Sequence, residues 1–134
     1  MSQELISKVQ DLYASFGRGD LQAVLDGLGD DVSWGIDSVA SADVPWYGVL
    51  NGKDNAKRFF AALAEEADFK VFVPKDFLAV GDHVFNHLHY EAVVKKTGKK
   101  VVQTSLQHWT FKNGKVVRWR GYEDTAVVRD AIRR

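Results

Sequence analysis

The sequence predicts an α+β fold in which a strongly curved antiparallel sheet is covered on one side by helices. Three observations predict this fold. Apolar residues recur at helical spacing mainly in the first half of the chain, and long strands joined by short turns fill residues 77–124. One of those turns is Asn113-Gly114, the dipeptide most typical of a tight hairpin. Because helices come early and strands late, the pattern favours α+β over alternating βαβ units.

Three helices are predicted ahead of the main sheet. Residues 2–16 carry apolar side chains on one helical face, and glycines follow where that helix should end. Asp20 is placed to cap a second, short helix, since an aspartate side chain accepts hydrogen bonds from the first backbone N–H groups. The third predicted helix covers about residues 53–67 and includes Phe60 in its apolar stripe.

One strand and one unusual loop lie between these helices. Residues 32–36 alternate between apolar and small or polar side chains, as in a strand with one buried face. Residues 29–31, Gly-Asp-Asp, are expected to form a turn before it. Residues 38–52 are predicted to form a loop that carries Trp46 and Tyr47, two large aromatic residues that are unusual in a plain connection.

The second half of the chain is predicted to form a meander of antiparallel strands. Pro74 indicates a bulge or bend in the first of them, and Asp124 is placed to cap a short helix at the C-terminus. The predicted strands cover residues 69–80, 83–96, 100–111 and 115–122. No repeat or linker divides the sequence, so residues 1–134 are predicted to form a single domain with a concave pocket between sheet and helices.

Composition excludes several classes of function. Lys and Arg together number 18, as do Asp and Glu, and this balance argues against nucleic acid as a partner. The absence of cysteine excludes disulfides, thiolate metal sites and a cysteine nucleophile. The first residues lack the pattern of a signal peptide, and no apolar run approaches the roughly 20 residues needed to cross a bilayer. A cytoplasmic protein that does not enter a membrane is therefore expected.

A series of short strings occurs in a characteristic order along nearly the whole chain. They are Tyr13-Ala14-Ser15-Phe16 with Gly19-Asp20, Asp31-Val32-Ser33-Trp34, Pro45-Trp46-Tyr47-Gly48 with Asn51-Gly52-Lys53, Gly81-Asp82-His83-Val84, Trp109-Thr110-Phe111 with Asn113-Gly114-Lys115, and residues 118–125. Together they resemble the nuclear transport factor 2-like superfamily, and most of all its SnoaL-like and ketosteroid-isomerase-like branch. The resemblance implies a cone-shaped domain with one pocket and a homodimer that forms through the convex sheet face.

The resemblance also implies which residues line the pocket. Steroid isomerases of this superfamily carry a general base at the position of Ile36 and an acidic hydrogen-bond donor at the position of Gln107. The epoxide hydrolases carry an Asp–Arg–Asp relay at the positions of Tyr90, Leu88 and Gly121. This chain lacks those charged side chains, which argues against both activities, since isoleucine cannot accept a proton. The expected pocket residues are Trp34, Ile36, Trp46, Tyr47, Phe60, Leu88, Tyr90, Trp109 and Trp119, with Trp46 and Tyr47 as a mobile rim.

Four residues remain as catalytic candidates. Gln107 could still donate a hydrogen bond to a carbonyl or oxyanion. The resemblance places a phenol near Tyr13, although the spacing leaves Leu12 as an alternative counterpart and a core aromatic as the plainer interpretation. Glu123 should face the pocket mouth, unless it is an exposed carboxylate. Asp37 adjoins the missing base, but alternation points it away from the pocket unless a bulge reverses the register.

The histidines offer a competing interpretation. His87, His89 and Glu91 alternate, so they share one face of one strand, and two imidazoles with a carboxylate could bind zinc or iron. The resemblance puts that face on the convex side of the sheet, away from the pocket. We therefore expect no metal and no other cofactor, and we interpret this face as a polar part of a dimer interface.

The expected function is a SnoaL-like protein that binds a small hydrophobic or cyclic molecule and is a candidate isomerase, cyclase or lyase. The alternatives are a non-catalytic binding protein and a dimeric accessory or scaffold domain with a vestigial pocket. A buried carboxylate with a raised pKa in the cavity would favour an enzyme. A wholly apolar cavity would favour binding, and a pocket filled by its own side chains would favour a scaffold.

Overall fold

The computed structural model describes residues 2–38 and 43–133, so part of the predicted 38–52 loop lies outside the described residues. The helices are α1 (Ser2–Gly17), α2 (Leu21–Asp26), α3 (Lys53–Glu66) and α4 (Thr125–Ile132). The strands are β1 (Leu28–Ile36), β2 (Gly48–Asn51), β3 (Ala67–Val80), β4 (His83–Val94), β5 (Lys100–Lys112) and β6 (Lys115–Tyr122). The predicted α+β fold, with a curved sheet, helices at the N-terminus and a short C-terminal helix, is confirmed.

The six strands form one sheet in the order β2-β1-β6-β5-β4-β3. Strands β3 to β6 are the predicted antiparallel meander, and the Asn113-Gly114 turn joins β5 to β6 with positive φ at both residues (52° and 78°). Strand β1 pairs with β6 in parallel. This pairing brings the first strand of the chain against the last, so residues near Trp34 and Trp119 become neighbours.

Two sequence-based predictions around β1 are wrong. Residues 29–31 are part of β1 rather than a turn, because Leu28 is fully buried in the core and pairs with Val116 on β6. A register shift between Leu28 and Ser33 interrupts the alternation, which hides the strand in the sequence. Residues 48–51 were predicted as loop but form β2, a four-residue edge strand that pairs antiparallel with β1.

The two short helices begin at the capping residues that the sequence predicts. The Asp20 carboxylate accepts a hydrogen bond from the Ala23 N–H at 3.1 Å and caps α2. The Asp124 carboxylate accepts from the N–H groups of Ala126 and Val127 and caps α4. Because Asp124 directly follows the last strand, its cap fixes the point where the chain leaves the sheet, which is also where Glu123 lies.

Strand alternation divides the sheet into a covered face and an open face. On β4, buried residues at every second position alternate with half-buried or exposed ones, and β5 shows the same alternation over most of its length. The buried row packs against the helices and forms the core with Trp34, Phe59 and Trp119. No helix among the described residues is both long and apolar enough to cross a membrane.

Candidate functional site

A cavity of about 110 Å³ lies between the covered face of the sheet and the helices. The residues expected in the pocket that line this cavity are Trp34, Ile36, Trp46, Phe60, Leu88, Tyr90, Trp109 and Trp119. Tyr47 does not line it directly but contacts Glu123, which does. Among the described residues that line the cavity there is no lysine, arginine or histidine, and Glu123 is the one carboxylate.

The Glu123 carboxylate is held by two phenols. Tyr47 donates a hydrogen bond to Glu123 Oε2 at 2.7 Å, and Tyr90 donates to Glu123 Oε1 at 3.0 Å. Gln103 Nε2 donates to the Tyr90 hydroxyl at 2.8 Å, and the Asp124 backbone N–H donates to Gln103 Oε1 at 2.9 Å. Each carboxylate oxygen thus has one protein donor and keeps a lone pair for another partner.

Burial is the main influence on the protonation of this cluster. Burial raises the pKa of Glu123 above its ordinary value, the hydrogen bonds from Tyr47 and Tyr90 oppose that rise, and the charge of Asp124 adds to it. Burial, and then the Glu123 charge, raise the pKa of both phenols, so they remain protonated donors at neutral pH. A carboxyl group with a raised pKa can act as an acid or a base nearer to neutrality than an exposed one.

Glu123 should also make stability depend on pH. Because its pKa in the folded chain is raised above 4.5, the folded state binds this proton more tightly than the unfolded state. The resulting stabilisation is complete below the unfolded pKa and is lost as the pH rises through the folded pKa. Glu123→Gln stays neutral, so its Tm relative to wild type should rise as the pH increases from 4.5 through the raised pKa of Glu123. Circular dichroism melts across that range measure this difference, and a constant difference would contradict the expectation.

Gln107 lies inside the cavity, but both ends of its amide are occupied. Trp119 Nε1 donates to Gln107 Oε1 at 2.9 Å, and Gln107 Nε2 donates to Ser105 Oγ at 2.9 Å. Ser105 Oγ in turn donates to the Leu88 carbonyl at 3.4 Å. An amide nitrogen carries two hydrogens, so Gln107 keeps one N–H for a ligand.

Tyr13 belongs to a second group of hydrogen-bonded side chains. Its hydroxyl accepts from Asn86 Nδ2 at 3.0 Å, and Asn86 Oδ1 accepts from Trp109 Nε1 at 2.9 Å. Burial raises the pKa of Tyr13, while hydrogen bonds from Asn86 and Trp109 oppose the rise. Both Leu12 and Tyr13 line the cavity, so the two counterparts that the sequence left open share one wall.

Asp37 is exposed and does not line the cavity. It directly follows β1, where its backbone N–H donates to the Gly121 carbonyl at 2.8 Å. No bulge reverses the alternation between Trp34 and Ile36, whose side chains enter the cavity, so the Asp37 carboxylate points away from it. This placement removes Asp37 from the group that could act on a molecule in the cavity.

Trp46 and Tyr47 are buried, at 6% and 3% exposure, and do not form the open rim that the sequence suggested. The side chain of Tyr47 is held inside the protein by its hydrogen bond to Glu123, which lies 76 residues away in sequence. Gln103 was not foreseen as part of the site. Gln103 could have been identified only from its position opposite Tyr90 on the neighbouring strand, and that position depends on the register between β4 and β5.

His87 and His89 lie on the open face of the sheet and contact different partners. His87 Nδ1 lies 2.9 Å from Asp76 Oδ2, and His89 Nδ1 lies 3.0 Å from Thr104 Oγ1. His89 Nε2 is 3.4 Å from Glu91 Oε2. Within residues 2–38 and 43–133, no group of three or more His, Cys, Asp or Glu side chains is arranged to hold a metal ion.

Comparisons with known proteins agree with this architecture. The sequence profile of the SnoaL-like domain matches residues 9–119. A nuclear transport factor 2-like protein of unknown function from Burkholderia pseudomallei K96243 is 22% identical, with a TM-score of 0.87 over 96% of this chain and 97% of that chain. A nuclear transport factor 2-like protein from Burkholderia thailandensis E264 is 26% identical, with a TM-score of 0.83 over 96% of both chains.

A proposed SnoaL-like polyketide cyclase from Mesorhizobium loti has the same fold at 18% identity, with a TM-score of 0.73 over 89% of this chain and 98% of that chain. No functionally curated protein matches the sequence. The family profile covers well over half of the chain, and the order of helices and strands agrees with the fold of these relatives. The chain therefore belongs to the SnoaL-like family of the nuclear transport factor 2-like superfamily.

Proposed function

We propose that this chain is an enzyme of the isomerase, cyclase or lyase type that acts on a small hydrophobic or cyclic molecule and uses Glu123 to move a proton. One observation carries the proposal: a largely buried carboxylate lines an otherwise aromatic and aliphatic cavity and is held there by two phenols. Membership of a family that includes proposed polyketide cyclases is consistent with this chemistry.

An ionised carboxylate at this buried position lowers the stability of the fold, so its presence calls for a functional reason. Burying an ionised group away from cations is unfavourable, and none of the described residues that line the cavity is a cation that would offset that cost. The two phenols stabilise the ionised form, while burial favours the protonated form. Because burial outweighs the hydrogen bonds, the pKa of Glu123 is raised, and its two forms lie closer in free energy at neutral pH than those of an exposed carboxyl, as a group that both accepts and returns a proton needs.

The residues of the cavity suggest a proton transfer in two steps. Glu123 accepts a proton from a carbon next to a carbonyl group of the bound molecule, while Tyr47 and Tyr90 hold the carboxylate in place. The protonated carboxyl then returns the proton to another atom of the same molecule. The remaining N–H of Gln107 and the hydroxyl of Tyr13 are available to orient a carbonyl oxygen from two walls of the cavity.

Hydrogen exchange in heavy water tests the proposal without knowledge of the natural substrate. A panel of small neutral cyclic ketones is incubated with the protein in D2O, and loss of the α-hydrogen signals is followed by NMR. We expect exchange of at least one ketone to be faster than with heat-denatured protein. Ketones that bind without any accelerated exchange would contradict the enzyme proposal and favour the alternative, a non-catalytic binding protein.

That alternative has one observation in its favour. Two polar side chains that line the cavity, Gln107 and Ser105, are hydrogen-bonded to each other, and Gln107 also accepts from Trp119. Such a wall suits passive binding of an apolar molecule. Native mass spectrometry of freshly purified protein, in search of a bound small molecule, would identify the ligand in either case.

We further propose that two copies of the chain associate through the open face of the sheet. Support comes from apolar side chains that are exposed there, among them Val102, Leu106 and Tyr122, with Leu106 and Tyr122 paired across β5 and β6. A cluster of exposed apolar residues is typical of an interaction surface. We expect light scattering to give the mass of a dimer for wild type and for Ala61→Lys, an exposed position on α3, and of a monomer for Leu106→Lys. A monomeric wild type would contradict this proposal.

A further inference from the structure

Four tryptophans line the cavity, and the indole N–H groups of three of them, Trp34, Trp109 and Trp119, are not equivalent. Trp109 Nε1 donates to Asn86 and Trp119 Nε1 donates to Gln107, each at 2.9 Å. Trp34 is 2% exposed, and its Nε1 is a buried side-chain polar atom with no hydrogen-bond partner among the residues that the structure describes. A buried donor without an acceptor is unfavourable and rare in folded proteins, so it calls for a physical reason.

The Trp34 ring is held where other aromatic rings surround it. It stacks on Trp119 with ring centroids 4.4 Å apart, and it contacts Phe59, Phe60 and Trp109 at 6.0, 5.4 and 6.0 Å. Its backbone is fixed on both sides, by pairing with Leu50 on β2 and with Trp119 on β6. These contacts hold the ring at the wall of the cavity. Because Trp34 lines the cavity and its N–H has no acceptor among the described residues, a molecule that enters the cavity is the remaining source of an acceptor.

We propose that Trp34 Nε1 donates a hydrogen bond to an acceptor oxygen of the bound molecule, and that this molecule is uncharged and about the size of one six-membered ring. The inference rests on the proposed function, since it concerns the ligand of the same cavity. It names the substrate class more closely: a small cyclic ketone or a similar neutral compound with a carbonyl-type oxygen.

Size and charge support this class. The cavity of about 110 Å³ is of the order of the engineered ~150 Å³ apolar cavity known to bind benzene. An anionic ligand would meet the Glu123 carboxylate and no cationic side chain among those lining the cavity. An ammonium group could meet Glu123 and the aromatic rings, but it has no lone pair with which to accept a hydrogen bond from Trp34.

Three ligands of one shape separate these possibilities. Cyclohexanone carries an acceptor, methylenecyclohexane replaces the oxygen by carbon, and cyclohexylammonium carries a positive charge. Binding is measured by NMR with the indole nitrogens labelled with ¹⁵N. We expect saturable binding of cyclohexanone that shifts the Trp34 Nε1–H resonance downfield, and no such shift with methylenecyclohexane. Absence of cyclohexanone binding, an unshifted Trp34 signal on binding, or tighter binding of the ammonium compound would overturn the proposal.

Matched variants test the same hydrogen bond by affinity. Trp34→Phe keeps an aromatic ring but removes the N–H, so the Kd for cyclohexanone should rise about tenfold more than the Kd for methylenecyclohexane. Trp119→Phe makes the same change in volume at an indole already bonded to Gln107, so both Kd values should change by a similar factor. Equal losses for both ligands in Trp34→Phe would overturn the proposal.

These results are independent of turnover. Cyclohexanone that shifts the Trp34 signal but exchanges no α-hydrogens would leave this inference standing and contradict the proposed enzyme. Accelerated exchange that is abolished by Glu123→Gln, with no change at Trp34 on binding, would support the enzyme and overturn this inference.

Discussion

Glu123→Gln is expected to lower the rate of α-hydrogen exchange of a bound ketone by about 10²- to 10⁴-fold, the usual contribution of a positioned acid or base. The amide has nearly the shape of the carboxyl group but cannot accept a proton at neutral pH. The amide oxygen can still accept a hydrogen bond from Tyr47 or Tyr90, so the variant should fold. NMR-detected exchange with wild type and variant at equal concentrations of folded protein measures the effect.

Asp37→Asn is the matched control for that experiment. It makes the same chemical change at an exposed carboxylate near the same end of the sheet, outside the cavity. We expect it to keep the wild-type rate within about twofold, as surface substitutions usually have small effects. If Asp37→Asn lost the activity and Glu123→Gln kept it, Glu123 would not be the group that moves the proton.

The two phenols should adjust the pKa of Glu123 and should not themselves accept the proton. Their hydrogen bonds lower the pKa of Glu123 against the effect of burial, so Tyr47→Phe or Tyr90→Phe should let that pKa rise further. The pH at which the exchange rate reaches half its maximum should then move upward, since exchange requires the ionised carboxylate. A change in maximal rate without a shift of the pH profile would indicate that the phenols act only on packing.

The walls of the cavity could largely be predicted from the sequence, because alternation along a strand is local information. Once β4 and β5 are placed, every second residue shares one face, and the resemblance implies that the face with Leu88, Tyr90, Gln107 and Trp109 is the inward one. The resemblance added Trp34 and Trp119 on strands whose parallel pairing no local pattern reveals. The fold class was predictable for the same reason, since it depends on the order of elements and not on their exact ends.

Contacts between distant parts of the chain could not be predicted in this way. Tyr47 reaches Glu123 across 76 residues of sequence, and the stretch that holds it was assigned to a loop because β2 is only four residues long. The sequence also gave no means of counting hydrogen bonds. It could place four tryptophans near the cavity, but only the side-chain geometry distinguishes Trp34, whose N–H lacks a partner among the described residues, from Trp109 and Trp119.

The second large effect is expected at Gly35, where an alanine should destabilise the fold by about 1–3 kcal/mol or more. Gly35 lies on β1 between Trp34 and Ile36, opposite Val49 on the edge strand β2. A Cβ atom added there would lie 2.8 Å from Val49 Cα and would also collide with the Gly48 carbonyl oxygen. Both obstacles are backbone atoms, so no side-chain rotation can relieve the contact, and β2 must move.

Thermal unfolding measures this effect, and Gly17→Ala provides the control. A Cβ at Gly17, at the end of α1, meets no atom within 4 Å, so that variant should be as stable as wild type or more stable by up to about 1 kcal/mol. At roughly 4 °C per kcal/mol for a chain of this size, Gly35→Ala should melt about 4–12 °C lower. Equal Tm values for Gly35→Ala and Gly17→Ala would mean that β2 can move away from the added Cβ without loss of stability. Because β2 and β1 together position the Trp34 ring, a shifted β2 should also weaken ketone binding, which ties the backbone at Gly35 to the chemistry of the cavity.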